Sequence, residues 1–190
     1  MTETPNPHLI DAETLTGEMR PIRRVVIALG ANLGDRMTSL QGAVDSLEDT
    51  PDVWVTSVSP VYETAPIDCP PDAQSYLNAV VLLDTTMPAH RLLDRAMAIE
   101  SAYGRIREFD EVNAPRTLDV DLIVVGERRA NDERLVLPHP RAAQRAFVLQ
   151  PWHDLEPDAV LPDSGPVEEL LEAVADQSIH RRDDLALHTR

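Results

Sequence analysis

The sequence predicts an α+β fold, a ferredoxin-like βαββαβ antiparallel sheet with helices packed on it, plus a C-terminal extension. Two observations carry this. Four short segments are apolar and rich in β-branched residues, as strands of a buried sheet are. Two further segments repeat apolar residues at helical spacing, one between the first and second strands and one between the third and fourth. The order is therefore the split βαβ plan.

The first strand is "VVIAL", residues 25–29, and "GANLGD" breaks it. Leu33, Met37, Leu40, Val44 and Leu47 then recur at helical spacing. The long β-rich stretch 52–64 reads as one strand, and the proline-rich "APIDCPPDAQ" as a loop. Residues 75–85 form the third strand. Thr86 is placed to cap a helix carrying Leu92, Leu93, Ala96, Met97 and Tyr103, with Gly104 as its stop. Residues 118–125 supply the fourth strand. Beyond it lie proline-bounded segments and a helix over "VEELLEAVADQ". This divides the chain into a flexible acidic extension (1–21), one domain (22–178) and a C-terminal tail (179–190).

Charge narrows the function. The chain has 190 residues, with 17 basic against 33 acidic and a net charge of −16. Such a surface is unsuited to nucleic acid and to anionic membranes. Every basic residue is arginine, so no Walker-type phosphate loop is present. Cys69 is the only cysteine, which fits a reducing cytoplasm. No apolar run approaches the ~20 residues of a membrane span, and no signal peptide is visible.

Four groups of residues could carry chemistry. Asp119 and Asp121 lie in "LDVDLIVV" on one face of a strand. Two adjacent carboxylates repel and are costly to desolvate unless a cation joins them. Mg²⁺ suits such a pair; a solvated strand end paired to Arg116 satisfies the spacing equally well. Arg105, Arg107 and Arg116 flank the pair in sequence, and guanidinium forks suit phosphate, although arginines also favour helix C-termini. His139 stands between two prolines, with Arg145 and Phe147 two apart and on one face if that segment is extended. Tyr76 and Asn78 share a face of the third strand, an aromatic beside an amide, which suits a flat heterocycle or ordinary packing.

Taken together, "ALGANLGDR", "SPVYETAPI", "YLNAVV", "IESAYGRIR", "PRTLDVDLI" and "LPHPRAAQRAFVL" resemble the 6-hydroxymethyl-7,8-dihydropterin pyrophosphokinase family, in its order, from Val25 to Trp152. The resemblance implies transfer of pyrophosphate from ATP to the pterin hydroxymethyl oxygen, with release of AMP, in tetrahydrofolate biosynthesis. It implies that Asp119 and Asp121 hold two Mg²⁺ ions. Tyr76 and Phe147 would sandwich the pterin, and Asn78, with Thr64, Ala65 and Ile67 nearby, would read its polar edge. Glu100, Arg105, Arg107, Arg116, His139 and Arg145 would hold ATP. Catalysis would rest on Arg105, Arg116, Asp119 and Asp121, with no general base assigned. A cytoplasmic monomer acting on small molecules, with neither nucleic acid nor membrane as partner, is the expectation.

The chain also departs from the family pattern. Val112, Asn113 and Ala114 stand where the family commonly has Arg-Trp-Gly, in a loop one residue longer than the pattern. In the family that loop is a lid over both substrates, so ATP affinity and closure are the properties most exposed to the change. Ala65 replaces a usual proline. A non-catalytic nucleotide- or pterin-binding module and a different metal-dependent enzyme, such as a phosphodiesterase, fit the same fold. AMP release separates the three.

Overall fold

The computed structural model describes residues 9–10, 20–65, 74–104 and 117–190. The main sheet contains β1 (Arg23–Ala31), β2 (Val53–Val58), β3 (Tyr62–Thr64), β4 (Tyr76–Thr85), β5 (Asp119–Val125) and β6 (Ile179–Arg181). Four α-helices accompany it: α1 (Arg36–Glu48), α2 (Ala89–Ala102), α3 (Ala146–Leu155) and α4 (Val167–Ala173). The strands run in the order β6-β3-β4-β1-β5, with β2 also paired to β4, and every pair is antiparallel. Ahead of the sheet, the Leu9–Ile10 backbone pairs with Arg20–Pro21.

The central strands carry continuous apolar runs, residues 25–29 of β1 and 79–83 of β4, because both sheet faces are covered there. Val25, Ile27, Leu29, Leu77, Val81, Leu83, Val120 and Leu122 pack on one face with Leu40, Val44 and Leu47 of α1 and Leu92, Ala96 and Ile99 of α2. The other face buries Val26, Ala28, Val80, Leu82 and Ile123 against Val148, Leu149 and Trp152 of α3 and against Val167. A bulge at the β1–β5 pairing lets Val124 and Ile123 both join this second core.

Several boundaries differ from the sequence expectation. β1 does not end at Leu29 but continues through Gly30 and Ala31. Leu33 lies before α1, which is capped by Asp35: its carboxylate accepts from Thr38 N at 3.1 Å and Thr38 Oγ1 at 2.7 Å. The stretch 52–64 is two strands. Pro60 has no N–H to continue a ladder, and Ser59 instead holds Val80, donating from its backbone N at 2.9 Å and accepting from Val80 N at 2.8 Å. Thr86 does not cap α2; Pro88 stands at the N-cap with no side-chain hydrogen bond.

The C-terminal residues set apart as a tail are packed on the sheet and α1. β6 pairs with β3, Leu187 enters the first core, and Gln41 and His188 exchange hydrogen bonds of 2.8 and 2.9 Å. The 1–19 stretch, apart from the backbone at 9–10, lies outside the described residues.

Candidate active site

Register builds the site. In β1, Gly30 pairs with Asn78 of β4 on one side and with Asp119 of β5 on the other. Paired residues point to the same face, so Asn78, Gly30 and Asp119 form one row across three strands. Gly30 has no side chain to separate the other two. A Cβ there would stand 3.4 Å from Asn78 Oδ1 and 4.0 Å from the Asp119 Cβ. Tyr76 and Asp121, two residues along their strands, extend the same face. This is the face that α3 covers, but α3 starts at Ala146 and packs over Val80, Leu82 and Ile123 further along the strands.

Asn78 is buried and oriented. Its Nδ2 donates to Thr64 Oγ1 at 3.0 Å, so its Oδ1 is the acceptor turned toward Gly30. Ala65, next to Thr64, is exposed.

The segment before α3 brings in the basic groups. It is not extended: a 3-10 turn, Ala142–Gln144, leads to Arg145, whose backbone is extended, and α3 follows at once. Arg145 Nη1 donates to Asp121 Oδ2 at 3.3 Å, and its guanidinium lies over the Phe147 ring, 5.4 Å from the centroid. His139 Nε2 lies 3.8 Å from the same Asp121 oxygen. The His139 backbone N donates to Ile123 O at 2.9 Å, which ties this loop to β5. Burial, with help from Arg145 and Arg141, pushes His139 down to about 4, so its ring is neutral at pH 7. Nδ1 accepts from Arg141 N at 3.1 Å, which leaves the proton on Nε2, facing Asp121.

Glu100 has a different setting from the others. It is 2% exposed, on α2, and its Oε1 accepts from Val120 N at 2.9 Å. Val120 stands between the two aspartates on an edge strand, so Glu100 fixes the backbone that carries them.

The structure thus gathers Asn78, Thr64, Tyr76, Asp119, Asp121, His139, Arg145 and Phe147 at one end of one sheet face. Ile67, Arg105, Arg107, Arg116 and the 112–114 segment lie outside the described residues. Gly30 is absent from the sequence expectation because a glycine in "GANLGD" reads as a turn; its position opposite Asn78 and Asp119 follows only from register. Among the described residues no group of three or more His, Cys, Asp or Glu forms a protein-only metal cage. A two-carboxylate pair instead suits Mg²⁺, which draws the rest of its shell from water and phosphate.

Fold and face define a class: a ferredoxin-like antiparallel-sheet enzyme with paired strand carboxylates, a half-buried arginine and a buried amide on one surface. Residues 26–157 match the 7,8-dihydro-6-hydroxymethylpterin-pyrophosphokinase family. The chain is 41% identical over 160 residues to a Pseudomonas aeruginosa 2-amino-4-hydroxy-6-hydroxymethyldihydropteridine pyrophosphokinase, covering 84% of this chain and 97% of that protein. It is 39% identical over 175 residues to the Mycobacterium leprae protein of the same name, covering 86% and 88%. The chain belongs to the 7,8-dihydro-6-hydroxymethylpterin-pyrophosphokinase family. A crystal structure of Plasmodium falciparum HPPK-DHPS with pterin and p-hydroxybenzoate shares the fold, with TM-score 0.60 and 12% identity over 84% of this chain. This chain spans 45% of the length of that one.

Proposed function

We propose that the face around Gly30 carries out the family reaction: pyrophosphate passes from ATP to the hydroxymethyl oxygen of 6-hydroxymethyl-7,8-dihydropterin, leaving AMP. Pyrophosphoryl transfer to this dihydropterin in folate biosynthesis is the activity that family membership gives the chain. ATP as donor, two Mg²⁺ ions and the residue roles are this reading's own content. The observation that carries it is the single row of Asn78, Gly30 and Asp119, which sets an amide and a carboxylate pair side by side on an open floor.

Each side chain then has a task. Asn78 Oδ1 accepts from an N–H on the pterin edge, in the orientation that one Nδ2 hydrogen, given to Thr64, fixes. Tyr76 and Phe147 stack on the ring, with Thr64, Ala65 and Ile67 lining its edge. Arg145 and the neutral His139 donate to phosphate oxygens, the latter through Nε2–H. Arg105, Arg107 and Arg116 add phosphate contacts, and Glu100 holds the β5 backbone on the nucleotide side. Asp119 and Asp121 would hold Mg²⁺, which when bound neutralises phosphate charge. The protein's contribution is alignment and charge stabilisation, the two things phosphoryl transfer asks for.

Catalysis is assigned to residues 22–178, in a cytoplasmic monomer. Among the described residues no helix is long and apolar enough to cross a membrane. The test is product identity. Purified protein with ATP, Mg²⁺ and the fresh pterin alcohol should yield AMP and the pterin diphosphate in equal amounts. ADP alone, ATP hydrolysis without pterin, or no turnover would overturn the reading.

A further inference from the structure

We propose that the C-terminal segment beyond the family match, through β6 and Arg182, positions the pterin-reading edge of the site and so sets affinity for pterin but not for ATP. This rests on the assignment of Thr64 and Asn78 to pterin. The family match ends at residue 157, and β6 begins at Ile179.

The strand that carries Thr64 is only three residues long. One edge is paired to β4. The other is paired only because the C-terminal chain returns, with Ile179 opposite Thr64, His180 opposite Glu63 and Arg181 opposite Tyr62. Arg182 N continues the ladder to Val61 O at 2.9 Å. A strand this short has few contacts of its own to hold register, so its neighbours decide where Thr64 stands.

Both faces of β3 are then fastened by consecutive arginines of this segment. On one face Tyr62 Oη donates to Asp154 of α3 at 2.6 Å, and Arg181 lies 3.8 Å from the same carboxylate. On the other face, Glu63 is a hub. Its Oε1 accepts from Arg36 Nη1 at 3.1 Å and from the Ser75 hydroxyl; its Oε2 accepts from Arg182 Nη1 at 2.6 Å. Arg36 opens α1, and Ser75 immediately precedes Tyr76. Arg182 is itself held: Nε and Nη2 grip Asp184 at 2.8 and 2.7 Å, which aims Nη1 at Glu63 before any ligand arrives. One carboxylate thus joins the helix after β1, the strand with Thr64, the start of the strand with Tyr76 and Asn78, and the C-terminal segment. Among the described residues, none of these groups makes a hydrogen bond or ion pair with Asp119, Asp121, His139 or Arg145, so the ATP side stands apart from this network.

The consequence is a split between substrates. Release of Arg182 lets β3 drift, Thr64 no longer fixes the Asn78 amide, and the pterin edge is read less well. In the 190-residue chain, Arg182→Ala should raise KM for 6-hydroxymethyl-7,8-dihydropterin about tenfold, the loss of about 1.4 kcal/mol of binding, while KM for ATP stays within about twofold. Glu63→Gln with Arg182→Ala should be little worse than Arg182→Ala alone, because the glutamine Oε1 can still accept from Arg36 and Ser75 and the link lost in both variants is the one to Arg182. Arg182→Lys, which keeps a cation for Glu63, should recover part of the pterin affinity. A lowered Tm with both KM values unchanged, or both KM values raised equally, would overturn the proposal. Should Arg182→Ala not fold, the Glu63→Gln and Arg182→Lys single variants carry the same KM comparison. Asn78→Ala separates this from the underlying assignment. If Asn78→Ala leaves pterin KM unchanged, the site reading falls and this inference with it. If Asn78→Ala raises pterin KM and the Arg182 variants do not, only the C-terminal role is lost.

Discussion

Gly30→Ala isolates the floor of the site from the stability of the fold. Gly30 lies inside β1 and is not among the positive-φ glycines of the described residues, so alanine suits its backbone. The new Cβ would meet Asn78 Oδ1 at 3.4 Å and the Asp119 Cβ at 4.0 Å, both ordinary contacts. No strain is expected. Alanine is about 0.5–1 kcal/mol better than glycine in a strand interior, so stability should hold or rise. At this chain length that is a gain of up to about 4 °C in Tm. Activity should move the other way. The methyl rises about 1.5 Å above the sheet at the junction of the amide and the carboxylate pair. A displacement of about 1 Å in substrate position costs on the order of a hundredfold in rate, or about 2.7 kcal/mol of barrier. The assay is kcat/KM for AMP release, alongside thermal unfolding. A kcat/KM within about threefold of the parent, under 1 kcal/mol, would refute the placement of substrate over Gly30.

Two other outcomes follow from buried or depressed carboxylates. Glu100→Ala strands the buried Val120 N–H and should cost about 1–3 kcal/mol in urea unfolding, whereas Glu100→Gln keeps an acceptor and should cost less; equal losses would contradict the backbone role. Glu63 is held down to about 2 by the Ser75 hydroxyl first, then Arg182 and Arg36. A depressed carboxylate stabilises the fold fully above its unfolded value near 4.5, and that contribution is lost as pH falls toward 2. The stability gap between the parent and Glu63→Gln should therefore be constant from pH 7 to about 5 and shrink below pH 4.5; a gap that does not change with pH would disprove it.

Much of the fold was legible because its strands are buried on both faces. "VVIAL" and "LIVV" can satisfy neither water nor a one-sided sheet, so they announce themselves as central strands. α3 was not legible. Pro151 interrupts its pattern, and Pro138 and Pro140 precede it, so the segment reads as irregular until packing of Val148, Leu149 and Trp152 on the sheet is known. The break at Ser59 and Pro60 was hidden for a related reason: β-branched residues continue on both sides, and only the hydrogen bonds to Val80 show the chain turning.

By itself the sequence determined the alternation of strand and helix segments along the chain, the shared face of Asp119 with Asp121 and of Tyr76 with Asn78, and the family motifs, because alternation and composition are local properties. Tertiary structure alone decided that those two pairs lie on the same face of the same sheet. That depends on the register of β1 against both β4 and β5, which is fixed by burial summed over whole strands. It also decided that a stretch read as a tail completes the sheet, because an edge strand of three residues is recognisable only from the partner it pairs with.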